Sequence, residues 1–169
     1  MAFENTTARL PEYAKDLKLN LSSLLRQTEL PEETLWAIIV SSACASRNSE
    51  VIADILKEAT DKLSPQVLEA AQGAAALMAM NNIFYRFGHL SSNENYLKMP
   101  SGLRMNFIRS HGVDNDLFEL CCLAVSAING CGLCVDSHEK KLRESGVSEA
   151  AILTTIRAAS IIHGISATL

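Results

Sequence analysis

Apolar residues along this chain of 169 residues recur three and four positions apart, and no stretch alternates apolar with polar as a half-buried strand does. The pattern predicts an all-α fold. Pro31 with Glu32 and Glu33 reads as a helix start running through Leu35-Trp36-Ala37-Ile38-Ile39, a fragment too apolar to face water. Ser49 is predicted to cap the next helix, Val51 to about Thr60, and Ser64 before Pro65 opens a long helix through Ala70, Ala74, Leu77, Met80 and Phe84. Between about Gly88 and Asp114 the periodicity weakens around Ser91-Ser92-Asn93, Pro100 and Gly102, which predicts a connector with one short helix. Asp114 or Asn115 starts a helix reaching Ile128 and broken at Asn129-Gly130. A further helix runs from Cys131 to about Glu144 and stops at Gly146, with Val147 packing behind it. Ser148 caps the last one.

A short internal repeat links the two halves. Val40-Ser41-Ser42 resembles Val125-Ser126-Ala127, and Lys62-Leu63-Ser64-Pro65-Gln66-Val67-Leu68 resembles Gly146-Val147-Ser148-Glu149-Ala150-Ala151-Ile152. Duplication and chance likeness among Ala-rich helices both accommodate so short a match. Under this alignment, Ser46 and Ser49 lie near the counterparts of Cys131 and Cys134. The reading is one domain over residues 1–169, with a scaffold half at about 1–90 and a half carrying chemistry at about 112–169.

Hydrophobic residues make up 48% of the chain and aromatic ones 5%. The formal net charge is -4 and the pI about 5.6, so the basic face that phosphate backbones require is missing and nucleic acid is not an expected partner. The start, Met1-Ala2-Phe3-Glu4-Asn5, has neither a basic segment nor a following apolar run, and no window offers the roughly 18 uninterrupted apolar residues of a membrane span. No membrane association and a cytoplasmic location are expected. A mean hydropathy of +0.11 with near-continuous apolar helices points to burial of the surplus by oligomerisation. Five cysteines are an odd number for a disulfide framework, and Cys44, Cys121 and Cys122 sit in apolar runs where a thiol behaves as a small hydrophobe.

Cys131 and Cys134 are different. Two thiols at i and i+3, followed by His138 four residues on, fall on one face of a helix. Gly130 allows a sharp entry, and the helix start favours a thiolate through unpaired amides and the positive dipole end. His138 can stabilise that anion or accept its proton. Glu119, next to the apolar Leu120-Cys121-Cys122-Leu123-Ala124-Val125, is expected to face a buried surface, to have a raised pKa and to act as general base if that surface meets the cysteines. Two other readings stay open: a zinc site of Cys131, Cys134 and His138 with Glu119 or another thiol, and an inert buried cluster. His89, His111 and His163 read as structural. Glu139-Lys140-Lys141-Arg143-Glu144 reads as the wet face of the cysteine helix or a docking rim for an electron donor.

Phe118-Glu119-Leu120, Ala124-Val125-Ser126-Ala127-Ile128-Asn129-Gly130-Cys131, and Cys134 with His138-Glu139 and Leu142-Arg143 resemble the alkyl hydroperoxidase D family of the carboxymuconolactone decarboxylase-like superfamily. Met80-Asn81-Asn82-Ile83-Phe84-Tyr85-Arg86-Phe87 and Gly102-Leu103-Arg104-Met105-Asn106 extend the likeness over most of the chain. The resemblance implies an all-α fold with a two-fold repeat of helices and assembly as a homotrimer or a multiple of three. It implies reduction of alkyl hydroperoxides with no bound cofactor. Cys134 would be the attacking thiolate that becomes a sulfenic acid, Cys131 the resolving thiol, and Glu119 and His138 the proton relay. Electrons would come from dihydrolipoamide on a lipoylated acyltransferase, kept reduced by dihydrolipoamide dehydrogenase and NADH. They would also pass to a peroxiredoxin, the peroxidase component of the alkyl hydroperoxide reductase system.

One departure matters. The best-known members have a second histidine just before the attacking cysteine, where this chain has Leu133, and disulfide exchange survives that change better than peroxidase chemistry. The superfamily name also raises lactone decarboxylation or isomerisation, which needs no dithiol. The Cys-x-x-Cys pair counts against it.

Overall fold

The computed structural model describes residues 3–169; Met1 and Ala2, part of the terminal segment read for targeting, lie outside the described residues. These residues form α-helices and short 3-10 turns and no strand. In chain order the helices are α1 (Glu4–Ala8), α2 (Lys15–Leu24), α3 (Glu32–Ser46), α4 (Ser49–Ala59), α5 (Pro65–Leu90), α6 (Asn95–Lys98), α7 (Asn115–Ile128), α8 (Gly132–Ser145) and α9 (Glu149–Thr168).

The helix ends follow their capping chemistry. Ser64 accepts from the Val67 amide, Asp114 from Leu117 and Ser148 from Ala151, each side chain meeting one of the four amides that a helix start leaves unpaired. The cap of α4 is Asn48, not Ser49: its side chain accepts from both Glu50 and Val51, and a carboxamide oxygen at that position reaches both. α8 ends in a Schellman turn in which Gly146 has φ +96° and the Val147 amide bonds back to the Leu142 carbonyl at 2.9 Å. α5 runs on to Leu90, past the expected break, and Gly88 within it leaves the space that the Leu97 side chain of α6 fills.

α3 is the axis of the molecule. Nine consecutive residues, Leu35 to Ala43, are buried, and the helix packs against α5, α7 and α9. A helix apolar on all sides is stable only when surrounded, and that placement supplies the surroundings. α9 is long and apolar enough by length and mean hydropathy to cross a membrane, although Arg157 and His163 interrupt its apolar run as expected, and it packs against α2, α3 and α7 as a core helix does. Phe3 stacks on Trp36 with ring centroids 5.1 Å apart, closing the chain start over the core.

α3, α4 and α5 begin at residues 32, 49 and 65; α7, α8 and α9 begin at 115, 132 and 149, an offset of 83 or 84 each time. The repeat seen in short sequence matches is thus a repeat of three helices in the same order. Its second copy carries the two paired cysteines.

Candidate active site

The site is built where α7 hands over to α8. Asn129 and Gly130 close α7, and Gly130 takes φ +68° with open space where a Cβ would stand, so the glycine answers a backbone requirement and not a steric one. Cys131 follows in extended conformation as the N-cap of α8, its Sγ accepting from the Cys134 amide at 3.4 Å. Cys131 and Cys134 are joined as a disulfide with Cα atoms 5.3 Å apart. The bond therefore spans the first turn of α8.

The turn is held from outside by α5. Asn82 donates from Nδ2 to Ser126 Oγ at 3.0 Å and accepts at Oδ1 from Asn129 Nδ2 at 3.0 Å, while Arg86 donates to the Asn129 carbonyl at 2.5 Å. Buried polar groups satisfied this way impose one register between the two helices. This network was not legible in the sequence; its only signal was a pair of asparagines inside a long apolar helix.

His138 lies one turn beyond Cys134. Its Nδ1 stands 2.5 Å from Oε2 of Glu119, and the other carboxylate oxygen, Oε1, accepts from Lys141 Nζ at 2.9 Å. Both His138 and Glu119 are mostly shielded from water, with side chains 12% and 16% exposed. The raised pKa expected for Glu119 is not found. Burial does push its carboxyl up, but the hydrogen bonds and positive charge of His138 and Lys141 outweigh it and hold the group below the ordinary carboxylate value. Glu119 is thus an ionised partner of both His138 and Lys141, and its contact with Nδ1 fixes the orientation of the imidazole ring. Lys141, read as part of the wet face, belongs to the site; the rest of that face does pair within itself, Arg143 with Glu139 at 2.6 Å.

A cleft of about 380 Å³ opens on this cluster. α8 contributes Leu133, Cys134, Ser137, His138 and Lys141, and α5 contributes Met78, Asn81 and Tyr85. Met105 and Ile108 close it from the connector, which is pinned where Phe107 lies against Gly73 and His111 stacks on Phe118 with centroids 4.2 Å apart. The wall is chiefly apolar. Cys134 reaches the cleft, whereas Cys131 is wholly buried behind it.

The remaining thiols are apart from this chemistry. Cys44, Cys121 and Cys122 are free; burial pushes the Cys121 thiol up to about 12 and Cys122 well above its ordinary value. His163 contacts Ser46 at 3.2 Å, and His89 is exposed. Among the described residues no three His, Cys, Asp or Glu side chains converge as a metal cage would require, so the zinc alternative has no geometric support.

An all-helical core with a paired dithiol at a helix start defines the class to which comparison then assigns the chain. The profile of the carboxymuconolactone decarboxylase family matches residues 94–169, the part that contains the whole cysteine helix. Three relatives, each named alkyl hydroperoxide reductase AhpD, align along the entire chain. The protein from Acidobacterium capsulatum is 58% identical over 93% of its own length, that from Solibacter usitatus 56% over 96%, and that from Maricaulis maris 48% over 98%. The chain belongs to the alkyl hydroperoxide reductase AhpD family, within the carboxymuconolactone decarboxylase group.

Proposed function

We propose that this protein is an antioxidant thiol peroxidase that reduces alkyl hydroperoxides through Cys134 and Cys131. The observation that carries the reading is that Cys134 shares an apolar cleft with His138, itself oriented by Glu119, while its disulfide partner Cys131 sits buried behind it. The names of the relatives agree with it.

In the reduced protein the Cys134 thiolate attacks the terminal peroxide oxygen. The S–O bond forms as the O–O bond breaks, sulfur is oxidised by two electrons, and the alkoxide takes a proton from His138 to leave as alcohol. The Cys131 thiol then attacks the Cys134 sulfur; its proton goes to the departing hydroxide, water leaves and the disulfide closes. An external dithiol reopens the bridge by attacking Cys134, the sulfur at the cleft, and Cys131 departs as a thiolate stabilised by the Cys134 amide that already points at it. Met78, Tyr85, Met105, Ile108 and Leu133 suit the carbon chain of an organic hydroperoxide.

The dithiol is dihydrolipoamide carried on an acyltransferase, recharged by dihydrolipoamide dehydrogenase and NADH. The same cysteine pair regenerates a partner peroxiredoxin. The second half of the helical repeat is the redox half and the first its scaffold, the assembly is a trimer or a multiple of three, and the compartment is the cytoplasm, where reduced dithiols are maintained. A coupled assay tests the reading: NADH oxidation should require lipoylated acyltransferase, dihydrolipoamide dehydrogenase, this protein and an alkyl hydroperoxide together. Full turnover without the lipoylated protein would reject the electron donor. Absence of peroxide dependence in the complete mixture would reject the peroxidase.

A further inference from the structure

α5 places two asparagines side by side, both buried: Asn81 is 4% exposed and Asn82 1%. Asn82 is fully employed in the network that holds the α7–α8 turn. Asn81 is not. Its Oδ1 is buried and meets no hydrogen-bond donor, and of the buried side-chain atoms without a partner among the described residues it alone belongs to a residue lining the cleft of Cys134 and His138. The other polar groups there have other company: Ser137 is exposed, Tyr85 half-exposed, and Lys141 is bound to Glu119. A carboxamide withdrawn from water and left unmet destabilises the empty protein, and such groups persist where a bound molecule completes them.

We propose that Asn81 is the residue of this cleft that binds the hydroperoxide head group, holding its terminal oxygen toward Cys134. The proposal rests on the peroxidase reading. A hydroperoxyl group carries one O–H donor beside lone-pair acceptors, and a carboxamide offers the matching acceptor and donors; turning the amide about χ2 presents either one to the cleft. Once the S–O bond has formed and the O–O bond has broken, the sulfenic O–H takes the place of the peroxide O–H against the same carboxamide, keeping the sulfur in place for Cys131. In the disulfide state Cys134 has no proton to offer, which is the state in which Oδ1 stands unmet.

The two half-reactions separate this role from a structural one. Reduced protein is mixed with an alkyl hydroperoxide and disulfide closure is followed by stopped flow; oxidised protein is mixed with dihydrolipoamide and opening is followed. Asn81→Ala should slow peroxide-driven closure about tenfold, the factor one lost hydrogen bond can impose, and leave opening within twofold. Its melting temperature should be equal or higher, since an unmet buried amide has been removed. Asn81→Ser, also smaller than asparagine and so free of overpacking, keeps an oxygen and should recover part of the rate. Closure at the native rate in Asn81→Ala overturns the proposal alone, as does equal slowing of both half-reactions, which would mean that Asn81 shapes the cysteine turn. A wild-type thiol that leaves the hydroperoxide intact overturns the peroxidase reading and this one with it.

Discussion

Oε2 of Glu119 lies 2.5 Å from Nδ1 of His138, although the two residues are 19 apart in sequence and on different helices. The carboxylate is kept ionised by this contact and by Lys141, and the contact fixes the imidazole ring in one orientation. In the proposed reaction, that fixed ring one turn from Cys134 is what would carry the proton.

Glu119→Gln keeps the shape and removes the charge. Peroxide-driven disulfide closure should fall by roughly 100-fold, the lower end of what loss of acid–base assistance produces, with the protein still folded. The pH dependence has a sign. Because the folded pKa of Glu119 is depressed, its stabilisation is complete above the ordinary carboxyl value of 4.5 and fades as the pH falls through the lower folded value. Urea unfolding should therefore show wild type ahead of Glu119→Gln at neutral pH and the gap closing in acid. A gap that widened in acid would contradict the ionised assignment.

The thiols should sort by activation as well as burial, the helix start favouring the Cys134 thiolate although Cys134 is more buried than Cys44. In reduced native protein at pH 8, alkylation should reach Cys134 at the cleft, then the half-buried Cys44, and spare Cys121 and Cys122, whose thiols burial keeps protonated. Mass spectrometry after mild oxidation should find Cys131 joined to Cys134 and the other three free. A bridge using Cys121 or Cys122 would refute the pairing.

Cys131→Ser should leave a sulfenic acid on Cys134 that dimedone traps, and Cys134→Ser should end peroxide consumption. Trapping mainly on Cys131 in the second variant would reverse the roles.

Leu133 is 39% exposed at the mouth of the cleft, so a polar ring of similar size fits there with a stability change within about 0.5 kcal/mol, as for most surface substitutions. Leu133→His should raise the peroxide rate by adding a second proton carrier beside Cys134. An unchanged rate would mean that His138 already meets the demand.

Ile83, Phe87 and Leu90 recur on one face of α5 and are each more than half exposed, with Tyr96 and Met99 nearby in the chain also exposed and Tyr96 packed on Phe87 at 5.1 Å. A patch of this kind on a chain of positive mean hydropathy calls for cover by other copies. Light scattering should give a multiple of three subunits, and Phe87→Glu should shift the mass downward. A monomer at micromolar concentration would count against it.

What the sequence determined by itself was everything set by spacing along one helix. The caps at Ser64, Asp114 and Ser148, the stop at Gly146 and the placing of His138 one turn beyond Cys134 all follow from helical geometry, which acts over a few residues; Cys131, expected on the same helix, stands just outside it as the extended N-cap. Even Asn48 displacing Ser49 as a cap is a choice between neighbours. The tertiary structure decided what faces what. Only the packing of α7 against α8 brings Glu119 to His138 and Lys141, and that contact reverses the direction of the carboxyl's shift, because opposing charges within hydrogen-bond reach outweigh burial. Only the packing of α5 against both sets Asn82 on the turn and leaves Asn81 unmet in the cleft: adjacent asparagines on a helix point about 100° apart, and their different fates depend on which neighbour each one meets.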